Sequence, residues 1–206
     1  MKINNECFIL DIGLGNLKSI ENKLYKEGLN PIISSDPVKL KKSNFIIIAG
    51  VGHFKQAINN IQKNNISKIL NEKMREKECK ILGICLGMQL FTKFSEEGNV
   101  KGLGWFDANT IKIKSKEIKV PNINWMKLNI KKNKNLFINN PTNAKFYFSH
   151  SYHVKCEDKN DIVSTSELKD FNFVSAIRKK NILGVQFHIE KSYNQGMKII
   201  TNFINE

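Results

Sequence analysis

Residues 80–89 read Lys80-Ile81-Leu82-Gly83-Ile84-Cys85-Leu86-Gly87-Met88-Gln89, an apolar run that stops on a cysteine with a glycine two places before it and two places after. The run has the length and apolarity of a buried strand, and Leu86 to about Phe94 has the spacing of a helix. A strand that turns at once into a helix is the layout of a nucleophile elbow. The sharp turn pushes the central side chain out of the sheet edge, and bulkier residues in place of the glycines would clash there. The thiol also meets the unpaired N–H groups of the first helical turn, which favour its anionic form. A cysteine at a strand end is equally a common small apolar core residue, so the elbow alone leaves both readings open.

The other end of the chain weighs against the core reading. Residues 182–192, Ile-Leu-Gly-Val-Gln-Phe-His-Ile-Glu-Lys-Ser, form a second apolar strand that ends on His188, with Glu190 two places on. In an extended chain residues i and i+2 point the same way, so the carboxylate can orient the imidazole. Cys85, His188 and Glu190 then supply a nucleophile, a base and an orienting acid.

Composition bounds the rest. A chain of 206 residues suits one α/β domain over 1–206. The cysteines Cys7, Cys79, Cys85 and Cys156 show no C-x-x-C pair, and His53, His150, His153 and His188 show no ligand spacing, so neither a metal site nor a cofactor is expected. On one strand His150 and His153 would point to opposite faces. Unpaired cysteines fit a reducing cytoplasm. The start, Met1 to Leu10, reads as the run-in to a first strand and not as a secretory leader. No apolar run approaches the roughly 18 residues needed to span a membrane. The net charge of +14 invites a nucleic-acid reading, but Arg75 and Arg178 are the only arginines among 33 basic residues. Readers of bases and phosphates lean on arginine forks, and these lysines are scattered, so no nucleic-acid partner is expected.

The first half alternates strands and helices, the pattern of a parallel sheet wrapped by helices. Strands are expected at Cys7–Ile12, Pro31–Ser34, Phe45–Ala49 and Ile81–Ile84. Helices are expected at Asn16–Glu27, capped by Gly28, and at about 53–63 and 67–77, with Ser67 as an N-cap. Phe45–Ala49 empties into Gly50-Val51-Gly52. Beyond Glu97, alternating patterns at Asn109–Lys114, Asn124–Ile130, Lys145–Ser149, Tyr152–Cys156, Ile162–Ser166, Val174–Arg178 and Ile182–Phe187 imply added antiparallel strands. A last helix, Ser192 to Asn205, would bury Met197, Ile200 and Phe203 or Ile204.

These residues resemble the triad-type, class I glutamine amidotransferases, whose glutaminase domain carries G-x-C-x-G-x-Q and a distal F-H-x-E. Gln89 and Glu190 separate the chain from other cysteine-elbow α/β proteins of the peptidase- and chaperone-like superfamily. Within the family it is similar to the glutaminase subunits of imidazole glycerol phosphate synthases. Asp11-Ile-Gly-Leu-Gly-Asn16, Ala49-Gly-Val-Gly-His-Phe54 and Phe146-Tyr-Phe-Ser-His-Ser-Tyr152 carry that likeness. The resemblance implies a three-layer, flavodoxin-like α/β fold with a mostly parallel sheet, helices on both faces and added antiparallel strands. It also implies hydrolysis of L-glutamine, with Leu86 and the loop Gly50, Val51 and Gly52 supplying oxyanion donors, and with Gly52, Gln89, Glu97, His150, Ser151 and Tyr152 recognising the substrate. The implied partner is a (β/α)₈ barrel cyclase subunit that receives the ammonia in a heterodimer.

Several positions depart from that family pattern. Ile189 and Ala49 stand where proline is usual, Ile12 where tyrosine is usual, and Pro121-Asn-Ile-Asn-Trp-Met126 replaces P-H-M-G-W-N. The resemblance places the Trp125 segment against the barrel. Two alternatives follow, a paralogue feeding ammonia to the amidination of a cell-surface sugar and a non-catalytic binding module of the same fold.

Overall fold

Alternation of apolar side chains decides the architecture, because each central strand is apolar on both faces and must be covered twice. The computed structural model describes residues 6–206, so the reading of residues 1–5 lies outside the described residues. The first half runs β1 (Glu6–Leu10), α1 (Leu17–Lys26), β2 (Asn30–Ser34), α2 (Pro37–Lys42), β3 (Phe45–Gly50), α3 (Phe54–Gln62), α4 (Ile66–Lys73), β4 (Lys80–Cys85) and α5 (Leu86–Leu90). The second half runs β5 (Phe94–Ser95), β6 (Val100–Lys101), β7 (Ala108–Lys112), β8 (Asn122–Lys127), β9 (Asn129–Ile130), β10 (Lys145–His150), β11 (Tyr152–Cys156), β12 (Ile162–Leu168), β13 (Phe171–Lys179), β14 (Ile182–Val185) and α6 (Tyr193–Asn205).

The order β2-β1-β3-β4-β14 forms a parallel core, and β13, β11 and β7 extend it in antiparallel fashion. The chain reverses its direction of winding between β1 and β3, the flavodoxin-like arrangement, which opens a crevice at the carboxyl ends of the strands. Cys7 and Ile9, Phe45, Ile47 and Ala49, and Leu82 and Ile84 face one core with α1 and α6. Phe8 and Leu10, Ile46 and Ile48, and Ile81 face the other with α2 to α5. Burying each such side chain contributes roughly 1.5–3 kcal/mol, so register is tightly held. A separate antiparallel pair, β8 with β10, lays Met126, Phe146 and Phe148 on the first core beside Phe187. No helix among the described residues is long and apolar enough to cross a membrane.

Several local expectations are corrected. The helix expected over 67–77 is α4, Ile66–Lys73; its N-cap is Asn65 in a left-handed conformation, not Ser67, because a 3₁₀ turn at Lys63–Asn65 leads straight into it. The helix expected from Leu86 to Phe94 ends at Leu90, since Thr92 bonds the Gln89 carbonyl through its hydroxyl and the chain turns into β5. Five residues make barely more than one turn, so no long helix dipole stands behind the thiol. β14 stops at Val185; His188, held by an isolated bridge to Tyr147, caps a 3₁₀ turn, Ile189–Lys191, that carries Glu190. His150 and His153 lie on different strands of different sheets.

Candidate active site

The elbow is built by close approach. A Cβ on Gly87 would stand 1.8 Å from the Ile48 carbonyl oxygen, and one on Gly83 would stand 2.5 Å from the Phe91 ring. Both glycines let α5 lie directly on β3 and β4. The positive φ belongs to Cys85 itself, at φ 53° and ψ −105°, a conformation that costs a non-glycine residue about 1–3 kcal/mol. Gly50 pairs with Cys85 across β3 and β4, so the Gly50–Gly52 loop leaves the sheet beside the thiol. Gly15 (φ +90°) packs against that loop from the other side, where a Cβ would meet the Val51 nitrogen at 2.8 Å.

His188 reaches the same place by a different route. Its backbone N–H donates to the Tyr147 carbonyl at 2.8 Å, and Ser192 Oγ donates to the His188 carbonyl at 2.6 Å while accepting from the Tyr147 N–H at 3.0 Å. Glu190 Oε1 lies 2.9 Å from His188 Nδ1, which fixes the tautomer and leaves Nε2 for chemistry. Nε2 is buried without a hydrogen-bond partner of ordinary geometry among the described residues. Burial alone would lower the imidazole pKa, but interaction with Cys85 and Glu190 outweighs it and raises it to about 10.

A cleft of about 220 Å³ opens on the Cys85 thiol, and Gly50, Val51, Gly52, Leu86, Gln89, Glu97, His150, Ser151 and Tyr152 line it together with Pro121 and Ser149. That is below the roughly 300–1,000 Å³ of drug-sized pockets, a volume for a small metabolite. Glu97 Oε2 accepts from the Phe54 N–H at 2.8 Å, tying it to the start of α3. The Gln89 amide NH₂ donates to the Tyr152 carbonyl at 2.9 Å and to Gln186 Oε1 at 3.1 Å. His150 Nδ1 donates to the Tyr152 carbonyl at 2.8 Å, so its Nε2 accepts from the Asn122 amide at 3.1 Å. Burial holds His150 neutral by pushing its pKa down to about 4. No group of three or more His, Cys, Asp or Glu able to hold a metal ion occurs among the described residues.

Residues 8–206 match the family described as glutamine amidotransferase class-I. The chain is a class I glutamine amidotransferase. This amidotransferase is 44% identical over 199 residues to imidazole glycerol phosphate synthase subunit HisH 2 of Methanococcus maripaludis, covering 96% of this chain and 98% of that protein. It is 38% identical over 196 residues to the HisH subunit of Pyrococcus furiosus, covering 95% and 96%. The crystal structure of a glutamine amidotransferase from Thermotoga maritima has a TM-score of 0.63 at 16% identity, covering 97% of this chain and 82% of that one, which shows the shared fold.

Three residues of the amidotransferase site escaped the sequence reading. Gln186, wholly buried, directs its amide at the Cys85 sulfur at 3.6 Å. Asn122 fixes His150, and Ser192 staples the His188 turn to β10. Gln186 carried a signal, as the one polar residue inside the apolar run 182–187; the other two depend on contacts distant in sequence.

Proposed function

We propose that this amidotransferase is the glutaminase subunit of an imidazole glycerol phosphate synthase, a single domain over 1–206 that works in a reducing cytoplasm and needs no cofactor. The observation that carries the chemistry is the convergence of Cys85 on its strained turn, a histidine oriented by Glu190 and a small cleft. Cys85 passes its thiol proton to His188 Nε2 and the sulfur attacks the side-chain amide carbon of L-glutamine, the carbonyl π pair moving to oxygen. The N–H of Leu86 and an N–H of the Gly50–Gly52 loop stabilise that oxyanion; losing one such donor typically costs about 10²–10³ in rate. His188 gives its proton to the leaving amine, the C–N bond breaks and ammonia departs. The now neutral imidazole takes a proton from water, which attacks the thioester and releases glutamate, while Glu190 holds the ring throughout. Gln89, Glu97, His150, Ser151 and Tyr152 recognise the substrate from the walls of the cleft.

Free ammonia is protonated in water and lost as a nucleophile, so a partner must collect it. Relatives named as synthase subunits along nearly their whole length support a (β/α)₈ barrel cyclase as that partner. The surface next to His188 supports a docking face there, for Trp125 stacks on Tyr193 at 5.0 Å, and both are exposed. Products of the pair would be imidazole glycerol phosphate and an aminoimidazole carboxamide ribotide. The test is complementation of a histidine auxotroph lacking this subunit, with the cognate barrel co-expressed. Growth with the parent and none with Cys85→Ala is expected. No growth despite a soluble complex rejects the histidine assignment and favours the sugar-amidination paralogue, and absence of any glutamine hydrolysis favours the binding module.

A further inference from the structure

The Cys85 sulfur has a polar neighbour outside the triad. Gln186 is wholly buried, and its carboxamide reaches 3.6 Å from Sγ. Obligate partners fix which end of the amide faces the sulfur. The Tyr152 carbonyl can only accept, so Gln89 presents its NH₂ there at 2.9 Å. The same NH₂ lies 3.1 Å from the far end of Gln186, which must accept and is therefore Oε1. Gln186 is left to aim its own NH₂ at the sulfur.

We propose that Gln186 is a catalytic residue that donates a hydrogen bond to the Cys85 thiolate and holds the nucleophile charged and aimed into the cleft. This rests on Cys85 being the nucleophile. A neutral donor suits the place, since it favours the thiolate without competing with His188 for Glu190. When sulfur uses its electron pair to bond the amide carbon, the charge passes to the carbonyl oxygen and the contact with Gln186 weakens. The donor therefore stabilises the free thiolate over the acylated enzyme, which raises the fraction of Cys85 held ready as thiolate and favours departure of the thiolate when the thioester is hydrolysed.

The test is the pH dependence of Cys85 alkylation by iodoacetamide in the full chain, read on the Cys85 peptide by mass spectrometry, with Cys85→Ala as reference. Burial pushes the Cys79 and Cys156 thiols up to about 12 and about 11, and Cys7 higher still, so these stay silent at neutral pH. In Gln186→Met, which keeps the length and removes the donor, the midpoint rises by about one pH unit. In Gln186→Glu, which still accepts from Gln89, a facing carboxylate raises it further. A midpoint unmoved in a folded Gln186→Met overturns the proposal, as a merely structural amide would lower thermal stability alone. In the unsubstituted protein the Gln186 side-chain amide resonance titrates with the same midpoint as alkylation; a resonance that stays fixed overturns the proposal without any variant. No alkylation of Cys85 at any pH defeats the reading of Cys85 as nucleophile, and Gln186's part with it.

Discussion

Gly87→Ala is the sharpest single perturbation of the elbow. The added methyl would stand 1.8 Å from the Ile48 carbonyl oxygen and 2.7 Å from its carbon. Ordinary contacts lie near 3.5 Å, so α5 and β3 must part by roughly 1.5 Å. Neither yields easily. Ile46, Ile47 and Ile48 are wholly buried, with β1 on one side and β4 on the other, and Leu86, Met88 and Leu90 are buried in the second core. Overpacking typically costs about 1–3 kcal/mol, and a clash with backbone at both partners puts this case at about 3 kcal/mol or above. For a chain of this size that is a fall in Tm of about 6–12 °C. Cys85 and Leu86 ride on the same turn, and a displacement of about 1 Å costs about 10² in rate. Glutamine hydrolysis and thermal unfolding are measured together, with Gly28→Ala as control, because Gly28 has φ +79° but no neighbour within 4 Å of a Cβ. The control loses about 1 kcal/mol of stability and no activity. A Gly87→Ala enzyme with parental Tm and kcat/KM refutes the close-approach account of the elbow.

Ser192→Ala removes the hydroxyl that bonds both the His188 carbonyl and the Tyr147 N–H; about 2 kcal/mol of stability should go, read as a Tm fall of about 4–8 °C, with kcat reduced more than KM. His153 is buried beside Phe171 and Phe173 with Nδ1 unpartnered among the described residues, and burial lowers its pKa to about 4. The unfolded chain takes up that proton first, so the stability is complete above about pH 6.5 and is lost as pH falls toward 4, about 3 kcal/mol in all. His153→Phe should move the acid-unfolding midpoint to lower pH, and an unmoved midpoint counts against this. Trp125→Ala should leave the fold and basal glutamine hydrolysis intact and weaken binding of the proposed barrel subunit by about 30-fold or more, as for a central aromatic anchor; calorimetric titration reads it.

The parallel half was legible because each of its strands is apolar on both faces and bounded by turn residues, so β1 to β4 fall within two residues of expectation at each end. What escaped is short or non-local. β5 and β6 are two residues each, and the pairing of β5 with β7 and with β6 owes nothing to periodicity. α2 was missed although its signal stood in the chain, for Asp36 caps it by accepting from the Val38 N–H at 2.8 Å, with Pro37 at the first helical position. In the site, residue types that announce chemistry were readable from motif and spacing. Asn122 and Ser192 were not, since an amide or a hydroxyl acquires a role only when another part of the chain folds against it.

The same distinction explains how the elbow holds its strain. On sequence alone the turn belongs to the two glycines, because only they tolerate it. In the folded chain the left-handed backbone sits on Cys85, and the glycines serve by lacking side chains where α5 meets β3 and the Phe91 ring. A cysteine keeps that conformation only if its surroundings over-determine it. Here Gly50 pairs beside it, Phe91 closes over Gly83, and Gly87 is held on the Ile48 carbonyl. Relaxing any of these should let Cys85 fall back to an extended φ and withdraw its thiol from the cleft. The strain and the placement of the thiol at the cleft are thus one feature, and substitutions at Gly83 or Gly87 should slow alkylation of the Cys85 thiol by iodoacetamide under conditions where circular dichroism still shows a folded chain.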